Sequence, residues 1–293
     1  MLTTDELLRK IRQIEIYTDH LADDMFAGQY ESAFRGQGVE FAEVREYCHG
    51  DDIRTIDWRV SARAGRLHVK KYIEERELTV MVVVDASGSV DFGTGTQSKA
   101  ETMAETAATL AFSAIRNNDK VGAVMFTDTA ELYLAPKKGR RQVLRVIRDI
   151  LYFQPRAART DIAGVLDFTA RILNRQAIIF VISDFQDSDY LRSLTTVARR
   201  HDVVAIDIHD PRERMLPTVG LIEMEDAETG RRAVVDLGSS GFAEQFARTQ
   251  DAAAQRRRAE INAAGADYIS ICSGTSPIRP LMEFFDRRSR RRR

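Results

Sequence analysis

Three short stretches of this 293-residue chain offer oxygen ligands at close spacing. Asp85-Ala86-Ser87-Gly88-Ser89 puts a carboxylate and two hydroxyls at alternate positions of one tight loop. Ser183-Asp184 adds a second carboxylate, and Arg159-Thr160-Asp161-Ile162 a hydroxyl and a carboxylate at a helix entrance. Oxygen-only ligands from separate loops suit a hard divalent cation, and Mg²⁺ in particular keeps several waters and takes few protein groups. Mg²⁺ or Mn²⁺ is the expected occupant. Each stretch also has a plainer reading, because Ser or Asp after a strand often serves a turn or an N-cap. Thr160 could be only the cap of the helix that follows, Thr127 and Thr129 also follow a strand, and Asp161 reads better as a first-turn helix charge than as a ligand.

The elements that must bring these loops together are legible from periodicity. Met81-Val82-Val83-Val84 is a short, largely β-branched run stopped by Asp85, the pattern of a strand buried on both faces. Strands and helices then alternate: helix 98–117, strands 120–126 and 131–135, helices 140–151 and 162–174, and a second buried strand at 177–182. A helix at 189–200, a strand at 203–208, a hairpin at 219–236, a helix at 242–263 and a strand at 268–271 complete the series. Such alternation implies an α/β fold, a doubly wound, mainly parallel sheet covered on both faces. In such sheets the functional crevice lies beyond the carboxyl ends of the strands, where Asp85 and Asp184 fall. Before the first strand, apolar residues between Thr3 and Leu21 recur at helical spacing, and 26–64 reads as an irregular, charge-rich segment.

Composition excludes several classes. Hydrophobic residues make up 44% and charged residues 30%, with 17 glycines and 6 prolines, which is neither disordered nor fibrous. Two distant cysteines, Cys48 and Cys272, form no disulfide framework or zinc pattern. With no long apolar run and no signal-peptide pattern at the start, a cytoplasmic protein is expected. Gly93-Thr94-Gly95-Thr96-Gln97-Ser98-Lys99 only echoes a phosphate loop, its glycine spacing and lysine position being wrong, and reads as a loop and helix cap. Gly238-Ser239-Ser240-Gly241 does not make a nucleophile elbow. A haloacid-dehalogenase-type phosphotransferase needs a carboxylate where Ser87 stands. Of the five histidines only His209 sits at a strand end, beside Asp210, and a surface or structural role suits it.

The order Asp85-x-Ser87-x-Ser89, then Thr160, then Asp184 resembles the metal-ion-dependent adhesion site of von Willebrand factor A domains, over roughly residues 78–273. The resemblance implies that Ser87, Ser89 and Thr160 bind the metal through hydroxyls while Asp85 and Asp184 act directly or through water. Neutral hydroxyls leave the cation under-neutralised, so it can accept a carboxylate from a partner protein. The stretch from Gly38 to Tyr47, with Gly50 to Trp58 and Ala62-Arg63, resembles the signature of the bacterial domain-of-unknown-function family fifty-eight. That resemblance implies partnership with a MoxR-type AAA+ ATPase. Together the resemblances suggest an N-terminal helix and charged segment (1–77) packed on a von Willebrand factor A-like domain (78–285), with a short tail (286–293).

In the signature, Asp51, Asp52 and Asp57 face Arg45, Arg54, Arg59 and Arg63. They could form a self-satisfying ion-pair network held through Trp58, or a docking face for a partner. A second metal site there is disfavoured by the nearby arginines. Six of the last seven residues are arginines, so the net charge of −1 leaves −7 on the rest of the chain. Such a block reads as a solvated tail able to touch an anionic membrane or an acidic partner. Without aromatic residues beside it, specific nucleic-acid recognition is not expected. The expected function is a metal-dependent interaction module rather than an enzyme. The alternative is a Mg²⁺-dependent phosphoesterase or nuclease using the same acidic loops, which would want a general base and a denser carboxylate cluster.

Overall fold

The structure, a computed structural model, describes residues 24–34, 39–74, 77–95, 97–217, 219–225, 230–238 and 240–291. The helix expected between Thr3 and Leu21 lies outside the described residues. The chain divides into two units, residues 34–78 and the remainder. Helix α1 (Asp24–Phe34) belongs to the larger unit up to Ala33.

The smaller unit is more regular than its composition suggests. Strand β1 (Val39–Glu46) pairs antiparallel with β2 (His68–Glu74), with a bulge between Phe41 and Glu43. Helix α2 (Trp58–Ala64) and a 3-10 turn at Ile53–Thr55 lie in the connection. The carboxylates that make the segment look too polar for regular structure are what start these elements. Asp52 accepts from the Arg54 N–H, and Asp57 accepts from the Arg59 and Val60 N–H groups. Gly65, at φ 68°, then closes α2 in the left-handed region that glycine tolerates best.

In the larger unit, residues rich in Val and Ile build strands β3 (Thr79–Asp85), β4 (Lys120–Phe126), β5 (Ala130–Lys137), β6 (Ile178–Ser183), β7 (Asp202–His209) and β10 (Asp267–Cys272). They form one sheet in the order β10-β7-β6-β3-β4-β5, parallel throughout except for β5, which runs antiparallel at the edge. A separate hairpin joins β8 (Leu221–Glu225) to β9 (Arg232–Asp236). The helices are α3 (Lys99–Arg116), α4 (Arg140–Leu151), α5 (Ile162–Ile172), α6 (Leu191–Ala198), α7 (Pro211–Arg214), α8 (Ser240–Ala263) and α9 (Ile278–Arg291). Among the described residues no helix is long and apolar enough to cross a membrane.

Side chains of the central strands alternate between two buried faces. Met81, Val83, Val124, Ile179 and Val181 pack with Val165 and Leu166 of α5, Leu194 and Val197 of α6 and Ile261 of α8. Val80, Val82 and Val84, also buried, point the other way, where α3 covers the sheet. Helix α9 carries Arg287, Arg288, Arg290 and Arg291 of the arginine block as regular helix. Arg288 is buried, donates to the Ala33 carbonyl 3.1 Å away and pairs with both Asp202 and Asp267. One arginine of the block is therefore a structural tie.

The sheet has its switch point between β3 and β6: from β3 the chain moves one way to β4 and β5, then returns to β6, β7 and β10 on the other side. A crevice opens at the carboxyl ends of two such strands, because their connections leave in opposite directions. Asp85 ends β3, and Asp184 directly follows β6.

Candidate metal centre

Asp85 is only 2% exposed. Its Oδ1 accepts from the Ser87 N–H at 2.9 Å and its Oδ2 from the Ser183 hydroxyl at 2.6 Å. Burial, and second to it the charge of Asp184, push Asp85 up to about 6, against the pull of these hydrogen bonds. Ser87 stands at the start of a 3-10 turn, Gly88–Asp91, yet its side chain makes no capping bond. Its hydroxyl instead lies 3.1 Å from that of Ser89, and both serines are buried. The turn-chemistry reading of Asp85-x-Ser87-x-Ser89 thus explains the backbone of the loop, while the Ser87 hydroxyl pairs with Ser89 and bonds the Asp85 carboxylate rather than capping the turn. Adjacent ligands of an octahedral ion with bonds of about 2.1 Å lie about 3 Å apart, the separation of this pair.

Two backbone ties and one from a backbone N–H to a carboxylate draw the other loops in. The Gly88 N–H donates to the Ala158 carbonyl at 2.8 Å, and the Asp161 N–H to the Thr127 carbonyl at 2.9 Å. The Ile162 N–H donates to Asp187 Oδ2 at 2.8 Å, linking the start of α5 to the loop after β6. Thr160, half-buried, rides on the segment these ties hold against the Ser87–Ser89 turn. It is not the helix cap, since Asp161 caps α5 by accepting from the Gly164 N–H at 2.8 Å. Thr127 is committed elsewhere, to the Glu131 carboxylate.

Asp184, 2% exposed, accepts from the Gln186 N–H at Oδ1 and from the Lys99 ammonium at Oδ2, at 3.3 and 2.7 Å. Phe185 follows at φ 51°, an unusual backbone for a bulky residue, with its N–H on the Ser183 hydroxyl at 2.9 Å. In the sequence Lys99 reads only as the end of a loop and cap. Ser98 does cap α3, in a reciprocal pair with Glu101, and Gly93 is needed because a Cβ there would lie 2.6 Å from Ser98 Cα. The Lys99 side chain, 1% exposed, runs inward and also meets Glu213 Oε1 at 2.6 Å. Burial pulls its pKa down, but the two carboxylates outweigh this and hold it above the ordinary lysine value. One local signal was available: a lysine in a first helical turn sits at the wrong end of the helix dipole and needs another reason to be there.

Arg257 of α8 is the other residue the sequence did not single out. It donates to the Asp184 carbonyl at 2.8 Å and to Asp207 Oδ2 at 3.0 Å, and Tyr268 donates to the same Asp207 oxygen. Burial raises Asp207 above the usual carboxylate range despite these partners. His209 bonds Ser270 at 3.2 Å and is driven down to about 4, first by burial and then by Arg214 and Arg257, so it is neutral at pH 7. A cavity of about 780 Å³ opens beside the site, with Ser89, Lys99, Asp184, His209, Glu213 and Arg257 in its wall. Among the described residues no group of three or more His, Cys, Asp or Glu side chains is arranged to hold a metal. Any cation here would depend on the hydroxyls.

Among the described residues, the carboxylates of the signature segment are not grouped to hold a metal. Arg45 grips Asp51 through two bonds of 2.7 and 2.8 Å, and Asp51 also accepts from the Cys48 N–H. Asp52 and Asp57 are the caps described above, and Trp58 is 65% exposed.

Over 290 residues the chain is 31% identical to Uncharacterized protein Rv1480 of Mycobacterium tuberculosis, and to Uncharacterized protein Mb1516 of Mycobacterium bovis, covering 97% of this chain and 90% of each relative. Among solved structures it is similar to the conserved hypothetical protein BatB from Bacteroides thetaiotaomicron, with a TM-score of 0.50, 17% identity, and 73% of this chain against 99% of that one. An aerotolerance-related membrane protein from Bacteroides fragilis matches with a TM-score of 0.50 and 18% identity, over 72% of this chain and 99% of that one. At these identities the likeness is one of fold. The family model described as Protein of unknown function DUF58 matches residues 43–258, from within the signature through both acidic strand ends, and the chain belongs to that family.

Proposed function

We propose that this chain is a cytoplasmic, metal-dependent protein–protein interaction module, in which Asp85, Ser87, Ser89, Thr160 and Asp184 hold Mg²⁺ or Mn²⁺. The bound cation supplies an open, Lewis-acidic position for a carboxylate of a partner protein. The observation that carries this reading is the Ser87–Ser89 hydroxyl pair, buried and 3.1 Å apart at the switch point of the sheet, with Ser87 spared from capping. The chain's own residues hold the site in shape. Ser183 and the Ser87 N–H orient Asp85, and the Gly88–Ala158 tie keeps the Thr160 segment alongside. A role as adaptor or co-chaperone to a MoxR-type AAA+ ATPase rests on the sequence resemblance of the 38–63 signature.

Calorimetric titration with Mg²⁺ and Mn²⁺, beside Asp85→Ala, tests the reading. Binding by the native chain that is lost in the variant, with both melting cooperatively, is the expected result. No binding at millimolar metal, or undiminished binding by the variant, overturns it. Mg²⁺-dependent turnover of a phosphoester that disappears in Asp184→Ala would replace it with the hydrolase alternative.

A further inference from the structure

Lys99 is a cation placed where both its burial and its position in the helix oppose it. Its side chain is 1% exposed, it lies in the first turn of α3, and its ammonium stands 2.7 Å from Asp184 Oδ2 and 2.6 Å from Glu213 Oε1. Lysines are almost never fully buried unless paired, and this one is paired twice, once to a candidate metal ligand. Building on the metal reading above, we propose that Lys99 is a resident counter-cation of the site, which neutralises Asp184 when no metal is bound and sets how strongly a divalent ion can compete.

Glu213 gives the ammonium a second seat. It lies on α7 and is itself fixed, its Oε2 accepting the Asp210 N–H at 2.9 Å in a reciprocal capping pair. Asp210 is held in turn by the Thr94 N–H and hydroxyl and by the Ser273 hydroxyl. When Asp184 turns to a divalent cation, Lys99 keeps a partner without entering water. Asp85, Asp184 and Glu213 carry three carboxylates and Lys99 one positive charge, so removing Lys99 makes the site more anionic and removing Glu213 makes it less so. Affinity for a divalent cation should therefore move in opposite directions in the two variants. A lysine with only a packing role would alter stability without moving metal affinity in this order.

The test is calorimetric titration of the full chain with Mg²⁺ alone, comparing the native protein, Lys99→Gln, Glu213→Gln and Asp85→Ala, with thermal melts in chelator and in Mg²⁺. Lys99→Gln should bind at least about tenfold more tightly than the native chain, melt lower in chelator, and recover more on adding Mg²⁺. Glu213→Gln should bind several-fold more weakly. Should Lys99→Gln fail to fold, Glu213→Gln alone decides the matter, and unchanged or tighter binding overturns the inference. Binding that Asp85→Ala abolishes, but that neither the Lys99 nor the Glu213 change moves in these directions, also overturns it and leaves the metal reading standing. No binding by any of the four proteins removes both.

Discussion

The segment between Val39 and Glu74 and the carboxyl edge of the large sheet draw on the same residue types and spend them differently. In the segment, Asp51, Asp52 and Asp57 each organise a turn or helix start within six residues and stay partly or fully exposed. At the sheet edge, Asp85, Asp184 and Asp207 are no more than 2% exposed, and their charged or hydroxyl partners come from 50 to 98 residues away. A carboxylate at the surface can trade its protein partner for water, whereas a buried one that loses its partner keeps an uncompensated charge. Local capping thus stabilises the signature in small increments, while the sheet edge depends on a few long-range contacts.

Substitutions ordered by burial probe this contrast. Arg288→Ala should have the largest effect on stability, since it leaves a buried gap and takes the guanidinium from the buried Asp202 carboxylate as well as from Asp267. A loss of about 3–5 kcal/mol is expected, or roughly 10 °C in Tm by calorimetry. A drop of only a degree or two would show that this pairing behaves as a surface one. His209 comes next. Its folded pKa of about 4 lies below the ordinary value of about 6.5, so the unfolded chain takes up the proton first as the pH falls. Its contribution is present above about pH 6.5 and is lost progressively toward pH 4, worth on the order of 2 kcal/mol after allowing for its partial contact with solvent. Urea unfolding of His209→Gln at about pH 7.5 and about pH 4.5 should show a smaller acid loss than the native chain. Equal losses would remove His209 from the account. Asp51→Ala should be the mildest, moving Tm by about 2 °C or less, because Arg45 regains water when its partner goes. A fall as large as that of Arg288→Ala would reverse the comparison.

Much of this architecture is legible in the sequence. The strand expected over 120–126 forms as Lys120–Phe126, and the helix expected over 140–151 as Arg140–Leu151. Their apolar periods are strong and their ends are marked by Asp119 and Gly139. The signature forms regular elements that its composition does not announce, because the polar residues that make it look unfit for a core are the ones that cap and pair. Asp85, Ser87, Ser89 and Asp184 could be nominated because each stands at the end of a recognisable buried strand or in the loop just after it. Glu213 and Arg257 could not, because nothing in a local window distinguishes a surface glutamate or arginine on a helix from one that turns inward, and for Lys99 the one local hint is its place at the wrong end of the helix dipole.

The sequence by itself determined where most strands and helices after Leu78 begin and end, and that two acidic loops follow buried strands, since hydrophobic period and capping act over a few residues. Only the tertiary structure decided which strands are neighbours. Placing β6 beside β3 brings Ser183 onto Asp85 across 98 residues, and packing α3 and α7 around that edge seats Lys99 between Asp184 and Glu213. These contacts depend on charge and geometry across the whole sheet, and such information appears only once the chain is closed.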